Sequence, residues 1–130
     1  MGRVLAVDPG EKRIGLALSD PTGTLATPHS VLRHTSRAQD AAAIVQLARA
    51  QDVSCILVGL ALDRQGHEGP QARRALRLVA QLRLLTELPV ETRDESGTTE
   101  TAAALGGASS QLDARAAAVL LQEYLDDHRS

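Results

Sequence analysis

Runs of apolar residues alternate with longer stretches of helical period along the chain. Arg3 to Val7 (Arg-Val-Leu-Ala-Val) is a short apolar run closed by Asp8-Pro9-Gly10, the pattern of a strand buried on both faces and ended by a turn. A second run covers Ile14 to Leu18. A third, about Leu25 to Leu32, follows Ser19-Asp20-Pro21-Thr22-Gly23. Connections this short force an antiparallel meander. Pro28 cannot donate a ladder hydrogen bond, which assigns the third strand to a sheet edge.

After His34 the period changes. Ala41, Ile44, Val45 and Ala48 fall at helical spacing, predicting an amphipathic helix over Arg37 to Gln51, and Ser54 to Gly59 reads as another buried strand. Pro70 opens a second helix running to about Leu85, with Ala72, Leu76, Val79 and Leu82 as its apolar stripe. Pro89 to Arg93 gives a fifth strand. A short helix follows from about Thr98 to Leu105, stopped by Gly106-Gly107, and a last helix from about Asp113 to Asp126 carries Ala117, Leu120, Leu121 and Tyr124 on one face. The small polar stretch Gly106 to Gln111 reads as a mobile loop, able to let Asp113 settle when metal and substrate arrive. The element order is βββαβαβαα. Right-handed crossovers place strands four and five parallel to strand one, on the side away from the meander, so the expected class is α/β with a five-stranded mixed sheet of order 3-2-1-4-5 flanked by helices.

Composition narrows the class without naming the chemistry. A chain of 130 residues, 43% hydrophobic and 23% charged, is expected to form one domain spanning 1–130. No run approaches the roughly 18 apolar residues of a membrane span, and the amino terminus carries no signal-peptide pattern, which together predict a cytoplasmic protein with no membrane partner. Cys55 is the single cysteine, so neither an internal disulfide nor a zinc cluster is expected. Net charge is -2, yet Lys12 is the only lysine among the cations, and arginine is the better fork for phosphate. Tyr124 is the sole aromatic, which removes base stacking as a mode of recognition and leaves backbone and shape.

Parallel strands deliver their carboxyl ends to one edge, where open sheets bind ligands. Asp8 ends strand one, Asp94-Glu95 ends strand five, and Asp113 projects from the sheet-facing side of the last helix. Carboxylates crowded in this way repel one another unless a cation lies between them. Oxygen ligands without cysteine or a histidine cluster favour Mg2+ or Mn2+. Two such ions about 4 Å apart suit in-line hydrolysis of a phosphodiester. Each acid also has a purely structural alternative: Asp8-Pro9-Gly10 as a turn, Asp94-Glu95 as an acidic loop, Asp113 as a helix N-cap worth about 1 kcal/mol.

Candidate contacts to a polyanion are Lys12, Arg13, Arg64, His67, Arg73 and Arg74, with Gly10 keeping the backbone open or serving a positive-φ turn. The amides at the Pro70 helix start offer a phosphate seat. Gly15 reads as an allowance for close packing, and Cys55 and Tyr124 read as core.

Ala6-Val7-Asp8-Pro9-Gly10-Glu11-Lys12-Arg13-Ile14-Gly15 resembles the opening Asp-x-Gly-x-x-Arg-Ile-Gly motif of the YqgF/RuvX family, pre-16S rRNA nucleases related to Holliday junction resolvases. Val58 to Leu62, Gly66 to Ala72, Asp94-Glu95 with Thr98-Thr99-Glu100, and Asp113 to Ala117 resemble its later motifs in order, across essentially the whole chain. The resemblance implies an RNase H-like fold, Asp8, Glu95 and Asp113 as a catalytic and metal-binding triad, and Asp94 as a supporting or alternative ligand. Ser96 stands where the family usually has arginine, Ala61 and Asp63 where it has proline and asparagine, and Gln111 where a basic residue is common.

The function expected is therefore a metal-dependent nuclease acting on RNA in 5'-end processing of pre-16S rRNA. The alternatives are a Holliday junction resolvase-like endonuclease acting on branched or single-stranded DNA, and a non-catalytic interaction module. The protein is expected to be a monomer or weak homodimer. A sugar-kinase or actin-type ATPase shares an Asp-x-Gly turn but closes two lobes on its nucleotide, for which this chain is too short.

Overall fold

A computed structural model describes residues 2–95 and 109–128 of the chain, with side chains from Asp113 onward in the second stretch. Strands β1 (Arg3–Pro9), β2 (Arg13–Ser19) and β3 (Ala26–Arg33) precede helix α1 (Arg37–Ala50). Then come β4 (Val53–Leu60), α2 (Pro70–Leu85), β5 (Val90–Asp94) and α3 (Ser109–His128). The sheet order is β3-β2-β1-β4-β5. Strands β1, β2 and β3 pair antiparallel, whereas β4 runs parallel to β1 and β5 parallel to β4. Topology thus follows the sequence expectation, Pro28 included, since β3 lies at the edge and Pro28 sits opposite Ala17 just past a register irregularity.

Alternation along the strands builds two apolar layers. Leu5, Val7, Ile56 and Val58 face Ile44, Val45, Val79 and Leu82 of α1 and α2. Val4, Ala6, Ala17 and Leu57 face Leu120, Leu121, Tyr124 and Leu125 of α3. With both faces covered, β1 over Val4 to Val7 and β4 over Ile56 to Val58 are apolar at every position, which is why they read as continuous runs. On α2 the buried line is Ala72, Ala75, Leu78, Val79 and Leu82, so Leu76, expected in the stripe, lies half-exposed at its border. Ser36 caps α1 by accepting the Gln39 amide at 3.2 Å.

Two expectations are corrected at α3. The helix begins at Ser109, so Ser109, Ser110 and Gln111 are helical rather than part of a loop. Asp113 accordingly lies in the second turn and is not an N-cap. The short helix expected over 98–105 and the glycines at 106 and 107 lie outside the described residues. Among the described residues no helix is long and apolar enough to cross a membrane.

Candidate active site

Two glycines set the geometry of the acids. Asp8 pairs across the sheet with Gly15 on β2, and directly opposed residues share a face, here the one covered by α3. A methyl on Gly15 would lie 1.8 Å from the Asp113 carbonyl oxygen and 2.3 Å from its carbon. Only glycine lets α3 settle there, and the same contact brings Asp113 down beside Asp8. Glu95 follows β5 directly, with its amide donating to the Leu60 carbonyl at 2.6 Å. The neighbouring strand gives way in the same manner: a methyl on Gly59 would lie 2.7 Å from Glu95 Oε2. The Glu95 carboxyl thus occupies the space of a missing side chain on β4, between β5 and the end of β1.

The resulting electrostatics are unfavourable for three free carboxylates. Glu95 is 5% exposed. Burial, reinforced by the hydrogen bond to Asp8 and by the negative charges of Asp8 and Asp94, pushes its carboxyl up to about 10 against a lowering contribution from Gln71. Burial also raises Asp8, partly offset by the hydrogen bond from Glu95, and the charge of Asp113 raises it further. Of the two coupled carboxyls, Glu95 is the one pushed furthest toward its protonated form. No protein donor reaches Glu95 Oε2, which is shielded from solvent, and Asp113 Oδ2 also lacks a hydrogen bond. Arg13 Nε lies 3.1 Å from that Asp113 oxygen, an ion pair by distance without hydrogen-bond alignment.

Among the described residues no group of three His, Cys, Asp or Glu side chains is placed closely enough to hold a metal ion as it stands. Asp8 and Glu95 form a coupled pair, with Asp113 close enough to act on Asp8 and partly neutralised by Arg13. Donors that are all oxygen, two solvent-shielded oxygens without a hydrogen-bond donor and raised carboxyls together fit a hard divalent cation, which would satisfy the orphan oxygens and favour the ionised carboxyls. Asp94 is exposed at the end of β5, and strand alternation sets it on the face opposite Glu95.

Gln71, to which the sequence pattern assigns no role, ties the edge together. It lies in the first turn of α2. Its Oε1 accepts the Ala61 amide at 2.7 Å, and its Nε2 donates to the Pro9 carbonyl at 3.1 Å and to Glu95 Oε1 at 3.2 Å. One amide side chain thereby joins the ends of β1 and β4 to the acid after β5. The available signals are its place just after Gly69-Pro70, in a helix start aimed at the sheet edge, and its inclusion in the Gly66 to Ala72 segment that resembles a family motif.

The remaining candidates divide by position. Gly10 has no positive φ. Its amide donates to the Arg13 carbonyl at 2.9 Å, and an added methyl would lie 2.5 Å from that oxygen, so close approach replaces the positive-φ explanation. Lys12 is exposed in the same turn. Arg64 and His67 occupy the exposed loop before α2, where Asp63 Oδ1 accepts the Gln65 and His67 amides at 2.9 and 2.7 Å. Arg73 is exposed and donates to the Glu68 carbonyl at 3.2 Å. Arg74 lines a cavity beside Pro9 and Gly10. The Pro70 start has Gly69 as N-cap with no side-chain cap.

A family model described as RuvX, Holliday junction resolvase, matches residues 2–127. The chain belongs to the RuvX family. A RuvX relative from Roseiflexus sp. (strain RS-1), named "Putative pre-16S rRNA nuclease", is 38% identical over 98% of this chain and 96% of its own length. Another of the same name from Anaeromyxobacter sp. (strain Fw109-5) is 41% identical over 95% of this chain and 96% of its own. Among solved structures, Thermus thermophilus RuvC in complex with Holliday junction substrate superposes with a TM-score of 0.60 at 17% identity, covering 98% of this chain and 95% of that one. Fowlpox virus resolvase with Holliday junction DNA gives 0.62 at 10% identity, covering 98% and 99%. At these identities the likeness establishes the RNase H-like resolvase fold of this RuvX chain and nothing narrower.

Proposed function

We propose that the chain is a metal-dependent nuclease that hydrolyses RNA phosphodiesters, working in the cytoplasm in 5'-end processing of pre-16S rRNA. The observation that supports this is the coupled pair Asp8 and Glu95 at the carboxyl edge, with Asp113 near enough to act on Asp8 and two shielded oxygens that no hydrogen-bond donor satisfies. The names of relatives support the RNA substrate.

Asp8, Glu95 and Asp113 would hold Mg2+ or Mn2+. When bound, such ions activate a water and stabilise the leaving oxygen of an in-line displacement. The chain's own residues do the rest. Burial and mutual repulsion favour the protonated form in the pair Glu95 and Asp8, and metal ligation would require them to ionise. Gln71 holds Glu95 by one oxygen and leaves the other facing the space above Gly59. Arg13, beside Asp113, offers a guanidinium to the scissile phosphate.

The test incubates structured and unstructured RNA and DNA with and without Mn2+, comparing wild type with Asp8→Asn. RNA cleavage that needs Mn2+ and vanishes in the variant is the expected result; cleavage unchanged by Asp8→Asn defeats the assignment. The description of the matching family favours Holliday junction cleavage as a second reading. A four-way DNA junction run beside single-stranded RNA separates the two, with sedimentation reporting whether a dimer forms.

A further inference from the structure

Beyond the acids, the structure has a cavity of about 270 Å3 on the other side of the end of β1, where α1 and α2 approach the sheet. Arg37, Arg74 and Arg77 line it, together with His34. Among the described residues none of these three arginines has a hydrogen bond or ion pair. Several other arginines are held: Arg3 donates to Gln51, Arg13 faces Asp113, Arg83 donates to the Val90 carbonyl and Arg93 pairs with Asp127. The Arg33 and Arg64 side chains also lack a partner among the described residues, but neither lines this cavity, so it is the gathering of three around one cavity that sets this group apart.

The one carboxylate in the cavity wall does not neutralise them. Asp40 is 5% exposed, and its oxygens are taken by the Thr35 amide at 3.1 Å, the Thr35 hydroxyl at 3.4 Å and His34 Nδ1. Since a carboxylate only accepts, His34 Nδ1 carries the proton of that contact and the ring is held in place. Arg74 and Arg77, one turn apart on α2, share a face with no acid between them. A concentration of unpaired guanidiniums in a chain of net charge -2 is a seat for an external anion, and arginine forks match phosphate oxygens in pairs.

Position decides which phosphate. Pro9 and Gly10 form part of the wall, and Gly10 is two residues from Asp8, a span of at most about 7 Å. Asp8 points to the α3 side and the cavity lies on the α1/α2 side, so the carboxyl edge of β1 separates them. A polynucleotide draped over that edge reaches both. We infer that Arg37, Arg74 and Arg77 bind a backbone phosphate of the RNA whose scissile bond lies at the acids, one or a few nucleotides away. This rests on the nuclease reading above. Recognition here is independent of base identity, because the described surface offers phosphate forks, its one Phe, Tyr or Trp side chain, Tyr124, is buried, and the His34 ring is held by Asp40.

The test measures binding of a fluorescein-labelled single-stranded RNA by anisotropy in EDTA, where chemistry is off, across a salt series. The double variant Arg74→Gln/Arg77→Gln is expected to bind about tenfold more weakly, with a similar effect on unrelated sequences. Its log K against log salt slope should be shallower by about 0.7 for each phosphate no longer neutralised. Arg49→Gln, at the far end of α1, should match wild type. Should the double variant melt well below wild type, Arg37→Gln at the exposed start of α1 carries the same expectation for a single phosphate.

Unchanged affinity and slope in variants that fold overturn the proposal. So does calorimetric binding of AMP or inorganic phosphate that the double variant loses while its RNA affinity stays at the wild-type value, since the occupant is then a free phosphate compound. Failure of the two readings is distinguishable. Cleavage lost in Asp8→Asn, with RNA binding untouched by the arginine variants, removes the cavity and leaves the nuclease. Weakened RNA binding without any Mn2+-dependent cleavage by wild type does the reverse.

Discussion

A methyl at position 15 would have to displace backbone, because the atoms it meets are the carbonyl of Asp113 and the amide of Ala114. Gly15→Ala is therefore expected to destabilise the fold by about 1–3 kcal/mol, the range for overpacking a filled interior, measured by urea unfolding. Its cleavage should fall further than the unfolded fraction explains, because α3 carries Asp113. Titration supplies a second test in metal-free buffer. Glu95 moves from 4.5 unfolded to about 10 folded, so between those values the folded chain holds a proton that the unfolded chain has released. Stability falls as pH rises through that window. Thermal melts in EDTA should show wild type losing stability from pH 5 to pH 9, Glu95→Gln losing less, and Asp8→Asn melting at or above wild type at pH 8. A wild-type midpoint that climbs steadily across that range contradicts the buried pair. Asp8 is legible in sequence because it ends an apolar run at a strand's carboxyl end, whereas Glu95 follows the mostly polar strand Val90–Asp94 and is legible from its place at that strand's carboxyl end and from the family resemblance. Gln71 is not legible, since its value comes from three chain ends that only the fold brings within one amide's reach.

At the scale of elements, the first turn of α2 matters more than its stripe. Gln71→Ala frees the Ala61 amide and one oxygen of Glu95. The expected loss is about 1–2 kcal/mol of stability and about a tenfold drop in kcat with little change in KM, the mark of a residue that positions rather than binds. Retained wild-type kcat would remove that role. A second polar seam joins β4, β5 and α3: the Tyr124 hydroxyl donates to Glu91, and the Cys55 thiol donates to the same carboxylate at 3.3 Å. Burial, with the Glu91 contact, pushes Cys55 from 9.0 up to about 12, so at pH 8 its thiolate fraction is about a thousandfold below that of the unfolded chain. Iodoacetamide should label native protein correspondingly slowly and label it rapidly in urea; fast native labelling would break this account. Strand and helix types are readable from period. The start of α3 is not, because Gly-Gly-Ala-Ser-Ser reads as loop, and small polar residues gain helical conformation from the packing of the turns that follow.

Across the whole molecule, topology is the most legible feature, because short links force a meander and helical links force parallel crossovers, leaving one compact order for five strands. The distribution of charge over that frame is not legible, since net charge conceals its arrangement. Three acids with Arg13 as their one paired cation lie on the α3 side of the β1 edge, and Arg37, Arg74 and Arg77, without a counter-ion among the described residues, lie on the α1/α2 side. Such a division leaves the apoprotein less stable than the fold allows. Cation loading should recover stability in proportion to RT ln(1 + [L]/Kd), about 2.7 kcal/mol at a hundredfold excess over Kd. Titrating Mn2+ or Mg2+ into wild type should raise the melting midpoint, EDTA should reverse the rise, and Asp8→Asn should show little of it. An interaction module that had kept the fold without the chemistry predicts no shift in either protein. A shift of equal size in wild type and Asp8→Asn would place the cation away from these acids, and with it the reaction.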